Sequence, residues 1–117
     1  NKLDDYEEGT WTPTGNWSIN SCYYTKIGAL VTVTLDLQAN ATGGTTQVSN
    51  LPYGASKTGG VAIYTSSVNF PTGYTVATAV AAGNTIYFRA CGDNVAFTAL
   101  PITAGGYIHA SISYFVT

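Results

Sequence analysis

The chain of 117 residues contains no methionine, one histidine, two cysteines and very little charge. Charged residues make up 9%, against roughly a quarter in an ordinary soluble domain. The solvated surface must therefore be covered mostly by Thr, Ser, Asn, Gln, Gly and Tyr. Four basic residues and a net charge of −2 exclude the basic patch that a nucleic-acid binder needs to displace phosphate counterions. No stretch approaches the roughly 18 to 20 apolar residues of a membrane-spanning helix. Because methionine is absent, residue 1 is not a translation start, and no basic-then-apolar leader opens the chain. The chain is expected to be a piece of a longer protein that shares its function with an upstream part. Cys22 and Cys91 are too few for a disulfide framework. One bridge between them is open, and two buried free thiols are the plainer reading.

What is present is a period of two. In ALVTVTLDLQ, from Ala29 to Gln38, Val31, Val33, Leu35 and Leu37 fall on one face and Thr32, Thr34, Asp36 and Gln38 on the other. This is the alternation of a strand with one buried side. Near the C-terminus Ile108, Ala110, Ile112, Tyr114 and Val116 alternate with Tyr107, His109, Ser111, Ser113 and Phe115. Two aromatics on that second face predict that both faces are partly covered. Shorter strands are predicted at Trp11–Thr14, Cys22–Ile27, Thr45–Leu51, Gly60–Val68, Tyr74–Ala81, Thr85–Ala90 and Val95–Leu100. Gly28, Gly83-Asn84 and Cys91-Gly92-Asp93-Asn94 supply hairpin turns. The four prolines sit at strand ends or in connections, where a missing donor costs least. With no helical stripe anywhere, the pattern predicts an all-β fold. It is expected to be an antiparallel β-sandwich or jelly-roll-like domain of eight to nine strands over residues 11–117.

Residues 1–10 differ. Asp4, Asp5, Glu7 and Glu8 make this segment an acidic arm or linker leading in from upstream. Carboxylates suit calcium, but the spacing lacks the alternation and glycine of a calcium loop, so no metal is expected. Asn16-Trp17-Ser18 and Asn40-Ala41-Thr42 match the N-glycosylation pattern, which has meaning only for a secreted eukaryotic protein. Catalysis is poorly provided for. His109 is the only imidazole, and Asp36 and Asp93 are the only carboxylates outside the arm. Neither a nucleophile triad nor a facing pair of glycosidase carboxylates is indicated by their positions. No zinc spacing and no phosphate-binding glycine motif occur, so the reading is a non-enzymatic protein without cofactor.

Aromatics are better represented, at 13%, and several fall at or beside turns. A sugar ring stacks its apolar face on an aromatic ring, while its hydroxyls pair with Asn, Asp and Thr. On this ground Trp17, Tyr23, Tyr53, Tyr64 and Tyr74 are the candidate glycan-binding residues. The plainer reading for each is packing or subunit contact. Trp11 is read as packing.

The segment LDDYEEGTWTPT, from Leu3 to Thr14, followed by YTKIGALVTVTLDL, from Tyr24 to Leu37, resembles the C-terminal module of bacteriophage tail fibres and tailspikes. Leu51-Pro52, Gly59-Gly60 and the closing GGYIHASISYF from Gly105 to Phe115 are similar to later features of that family. Ala29 departs from it, standing where Asn is more usual. Residues 39–103 match only in pattern and loop placement. The resemblance implies a β-sandwich that forms a homotrimer around the fibre axis, downstream of a shaft or an enzymatic domain. It places the protein in the virion, made in the bacterial cytoplasm and acting at the host surface. Such modules lock the trimer, and some contact bacterial surface polysaccharide. A nearly charge-free face turned to the threefold axis is then expected on the Tyr107, His109 and Phe115 side of the last strand. The alternative is a free-standing carbohydrate-binding module or a capsid decoration protein.

Overall fold

A computed structural model describes residues 5–15, 17–40, 42, 47–66 and 68–116. Ten strands occur among them: β1 (Tyr6–Thr10), β2 (Trp17–Ile27), β3 (Leu30–Ala39), β4 (Gln47–Val48), β5 (Ala55–Ala62), β6 (Tyr64–Ser66), β7 (Val76–Gly83), β8 (Thr85–Gly92), β9 (Val95–Ala99) and β10 (Tyr107–Phe115). No α-helix is present among the described residues. The strands pair antiparallel in the order β1-β2-β3-β10-β5-β7-β8-β4, with β6 also on β10 and β9 also on β8. The all-β, antiparallel architecture is that expected from the period of two.

The two long alternating segments form β3 and β10, paired along their full lengths from Tyr107 opposite Gln38 to Phe115 opposite Leu30. Val31, Val33, Leu35 and Leu37 of β3 and Ile108, Ile112 and Tyr114 of β10 are buried. They share the core with Ala77, Ala79 and Ala81 of β7 and with Ile86, Phe88 and Ala90 of β8. The small residues come from one strand and the large ones from its neighbours, which lets the layers interdigitate. The sheet therefore turns its β3 and β10 half towards its β7 and β8 half, as in a sandwich. The Trp17 ring of β2 meets Phe88 of β8 edge-on at 5.4 Å. Next to it, paired bonds of 3.2 Å between Thr14 and Ser49 stitch the approach to β2 to the residue after β4.

The β5 strand joins the halves. Gly59–Ala62 pair with β7 while Lys57 pairs with Phe115 of β10. β5 approaches β10 so closely that a Cβ on Gly59 would lie 2.2 Å from the Ser113 carbonyl oxygen. Only glycine fits there without parting two backbones. Gly28, at φ 58°, turns β2 into β3 in a left-handed conformation that side chains resist.

Several boundaries differ from expectation. From Tyr6 the acidic arm is an edge strand, paired on β2 from Tyr6 opposite Ile27 to Thr10 opposite Tyr23. β2 begins at Trp17, five residues before the expected start, and its register shifts between Ile19 and Ser21. Trp11–Pro13 form no strand, and Thr14 makes only an isolated bridge. The strand expected at Thr45–Leu51 is reduced to Gln47–Val48, its Thr45 and Thr46 lying outside the described residues. Residues 1–4 of the arm, with Asp4, and Asn16 and Ala41 of the glycosylation patterns lie outside them too. Both thiols are free, Cys22 buried and Cys91 half-buried. Desolvation raises the Cys22 pKa, which makes it an unreactive core thiol.

Candidate functional site

Because the pleat alternates, burying one face of β2, β3 and β10 turns every second side chain outward. On that outer face the antiparallel register aligns residues into rows. Tyr6, Ile27, Leu30 and Phe115 form the first, crossing from β1 to β10, with Lys57 of β5 opposite Phe115. All four hydrophobic members are exposed, at 52%, 50%, 39% and 51%. The next rows are hydroxyl-rich: Glu8, Thr25, Thr32 and Ser113, then Thr10, Tyr23, Thr34 and Ser111. The Thr32 and Ser113 hydroxyls share a hydrogen bond of 2.8 Å.

Beyond them Ser21, Asp36, His109 and Tyr64 line up across β2, β3, β10 and β6. His109 Nδ1 lies 3.4 Å from Asp36 Oδ1, longer than an ordinary hydrogen bond. The imidazole sits between two phenol rings, Tyr64 at 5.5 Å and Tyr107 stacked at 6.1 Å. A depression of about 450 Å³ opens between Tyr23 and His109, with Ser21, Thr34, Asp36 and Ser111 around it.

Five of the eight candidate residues thus come together on one sheet face: Tyr23, Tyr64, Tyr107, His109 and Phe115. The other three do not join them. Trp17 is 6% exposed, and its Nε1–H donates to the Gln47 carbonyl at 3.1 Å. The expectation that its ring stacks on a sugar is corrected, because the register shift in β2 turns the indole into the core. Tyr74 is half-buried, with its hydroxyl donated to the Ala96 carbonyl at 2.8 Å. Tyr53 belongs to a second cluster at the edge of the sheet.

That cluster is built around Glu7, which alternation places on the face of β1 opposite to Tyr6 and Glu8. The Tyr24 and Tyr53 hydroxyls both donate to its carboxylate, at 2.7 and 2.5 Å. Lys26 faces Glu7 across the ladder and lies 5.5 Å from the centre of the Tyr53 ring. The bonds from Tyr53 and then Tyr24 hold the Glu7 pKa below the ordinary carboxylate range. The same contact with Glu7 pushes Tyr53 up to about 12. This arrangement pins the edge strand to the body of the domain.

The residues that the sequence did not single out are Asp36 as a partner of His109, and the row-mates Tyr6, Ile27 and Leu30. Their alternation was visible, but the register that brings them together was not. Asp93 lies in the turn between β8 and β9, on the other half of the sheet. Among the described residues no group of three or more His, Cys, Asp or Glu is placed to hold a metal ion. In comparisons with family models, curated proteins and solved structures, none matches this chain.

Proposed function

We propose that this chain is the C-terminal domain of a phage tail fibre or tailspike, without catalytic activity of its own. In this reading it assembles with two further copies through the outer face of β1, β2, β3 and β10. The observation that carries the reading is the exposed row Tyr6, Ile27, Leu30 and Phe115. Four large apolar side chains side by side on an otherwise hydroxyl-covered face are the mark of a surface meant to be covered. Charge favours another copy as the occupant. Lys57 of β5 closes the row at one end, and Glu8 of β1 stands one row over beside Tyr6 at the other, about 20 Å away at the usual strand spacing and rise. A head-to-tail ring brings the Lys57 of one copy towards the Glu8 of the next. The resemblance of Leu3–Thr14 and Tyr24–Leu37 to the fibre module supports the same arrangement around a threefold axis.

Light scattering coupled to size exclusion tests this directly. The expected mass is three times the 12.2 kDa of the chain, persisting on dilution. A monomer at all concentrations refutes the assembly reading. The opposite end of the same face, with its aromatics and hydroxyls, favours a second role in attachment to surface polysaccharide.

A further inference from the structure

We infer that the cavity between the Gly28 turn and Tyr53 is a binding site for an acidic sugar, a uronate, with Lys26 as its cationic contact. The inference adds a second contact to the attachment role proposed above and rests on that role. The cavity has a volume of about 480 Å³ and is lined by Lys26, Gly28, Ala29, Tyr53, Gly54 and Val116. This falls within the size range of small-ligand sites, which begins at roughly 300 Å³. Alternation puts Lys26 on the face opposite to Ile27, and Val116 on the face opposite to Phe115, so the cavity lies behind the apolar row. Its walls are tied together by the chain itself. The Val116 N–H donates to the Ala29 carbonyl at 2.8 Å, the Tyr114 hydroxyl to the Tyr53 carbonyl at 2.7 Å, and the Tyr53 hydroxyl to Glu7.

The state of Lys26 carries the argument. Glu7 stands opposite it across the ladder, where a salt bridge would be ordinary. Instead one Glu7 carboxylate oxygen accepts from the Tyr24 hydroxyl and the other from the Tyr53 hydroxyl. Among the described residues the Lys26 ammonium has no hydrogen-bond or ion-pair partner. It is half-buried and held over the Tyr53 ring, 5.5 Å from its centre. The ring attracts the charge through its face but leaves the three N–H donors of the ammonium unused.

Such a site selects for an anion attached to a ring with an apolar face. A carboxylate takes charge-assisted bonds from Lys26, the stronger class of hydrogen bond, while the C–H face of the sugar lies against Tyr53 and Val116. Gly28 and Gly54 bring bare main chain to the wall, within reach of the sugar hydroxyls. Other ligands fit less well. No second cation lines the cavity, so a phosphate dianion is only half compensated. A neutral sugar leaves the ammonium unpaired, an apolar ligand buries it without a partner, and an amine is repelled by it.

The test is titration of the ¹⁵N-labelled chain at low ionic strength with the methyl glycosides of glucuronate and galacturonate. The methyl glycosides of glucose and galactose, inorganic phosphate, and N-acetylalanine as a peptide carboxylate are the comparisons. Saturable shifts at Lys26, Gly28, Ala29 and Gly54 are expected with at least one uronate, weakening as salt is raised. Each comparison ligand is expected to bind there at least about fivefold more weakly. Lys26→Gln is expected to weaken the uronate at least about fivefold, and Lys26→Arg to keep it within about twofold, since the charge remains. Circular dichroism confirms that both variants fold. The inference is overturned if neither uronate shifts these residues, if Lys26→Gln binds as the parent does, or if any comparison ligand binds there as tightly. The same titrations keep the readings apart. Shifts at Ser21 and Tyr23 with the neutral glycosides, and none around Lys26 with the uronates, leave the attachment role standing and remove this inference alone. Uronate binding by a sample of monomer mass removes the assembly reading alone.

Discussion

Gly59 and Gly60 are adjacent in β5, yet the structure asks opposite things of them. A Cβ on Gly59 meets the Ser113 carbonyl oxygen at 2.2 Å, with the Ser113 carbonyl carbon at 3.3 Å, whereas ordinary contact begins at 3.4 Å. Both partners are main chain, so no rotamer relieves the clash and β5 must move away from β10. Overpacking of this kind costs about 1 to 3 kcal/mol. The movement also strains the bond of 3.0 Å from the Ser56 hydroxyl to the Phe115 carbonyl, and each such bond contributes about 0.5 to 1.5 kcal/mol. Gly59→Ala is therefore expected to destabilise the fold by roughly 2 to 4 kcal/mol. At Gly60 the nearest atom is the Ala79 carbonyl oxygen at 3.7 Å, an ordinary contact. Gly60→Ala is expected to be neutral, or to gain about 0.5 to 1 kcal/mol from the lower entropy of the unfolded chain. Urea unfolding of both variants at one protein concentration, followed by tryptophan fluorescence, measures the difference. If Gly59→Ala is as stable as Gly60→Ala, the close approach of β5 to β10 is wrong, and so is the join between the two halves of the sheet.

Phe115→Ser removes an exposed ring from the apolar row and is expected to leave monomer stability within about 0.5 kcal/mol while weakening self-association at least tenfold by light scattering. Tyr114→Phe deletes a buried hydroxyl that donates to the Tyr53 carbonyl at 2.7 Å, and should lower the unfolding free energy by about 1 kcal/mol. Glu7 predicts a two-sided pH profile. Its folded pKa lies below the ordinary 4.5, so its contribution is present above that value and is lost as pH falls through the folded pKa. Tyr53 rises from 10.0 to about 12, so its contribution is complete below pH 10 and is lost on the way to about pH 12. Urea midpoints across pH for the parent chain and Glu7→Gln should diverge in the neutral range and converge at both extremes; parallel profiles overturn the clamp.

How much of this could be read beforehand depends on what each strand buries. β3 and β10 each have one face in the core, so their alternation is nearly complete and their positions are plain in the sequence. β1 is an exposed edge strand whose ladder is made by backbone and whose side chains are mostly solvated. An acidic stretch of that kind carries no periodic signal, and it reads as an arm. The first half of β2 was hidden for a different reason. Its register shift breaks the alternation, and the same shift turns Trp17 inward where a turn residue was expected. β5 contains Ser56, Lys57, Thr58 and two glycines, and its place in the sheet comes from backbone proximity that no hydrophobic pattern encodes. The candidate face was half visible. Tyr107, His109 and Phe115 followed from the period of two, but their neighbours depend on the pairing of Asp36 with His109 and of Leu30 with Phe115. Such a register is set by pairing between strands far apart in the sequence.

That register also bears on whether one face can serve two roles. Tyr107 and Phe115 were grouped as a single subunit contact, yet they occupy opposite ends of β10, about 27 Å apart at the usual rise per residue. Between them lie Ser111 and Ser113, whose row-mates are Thr34 and Thr32, a hydroxyl band with little apolar area to offer a partner. A contact centred on Phe115 can then bury the row from Tyr6 to Phe115 and leave the depression beside His109 open to solvent. The two proposed roles should separate under substitution, since sites this far apart with no shared partners behave nearly additively. Phe115→Ser should alter the mass and leave polysaccharide binding unchanged, and Tyr23→Ala, at the wall of the depression, should do the reverse. Loss of both properties in either variant refutes the division and points to an interface that covers the whole face.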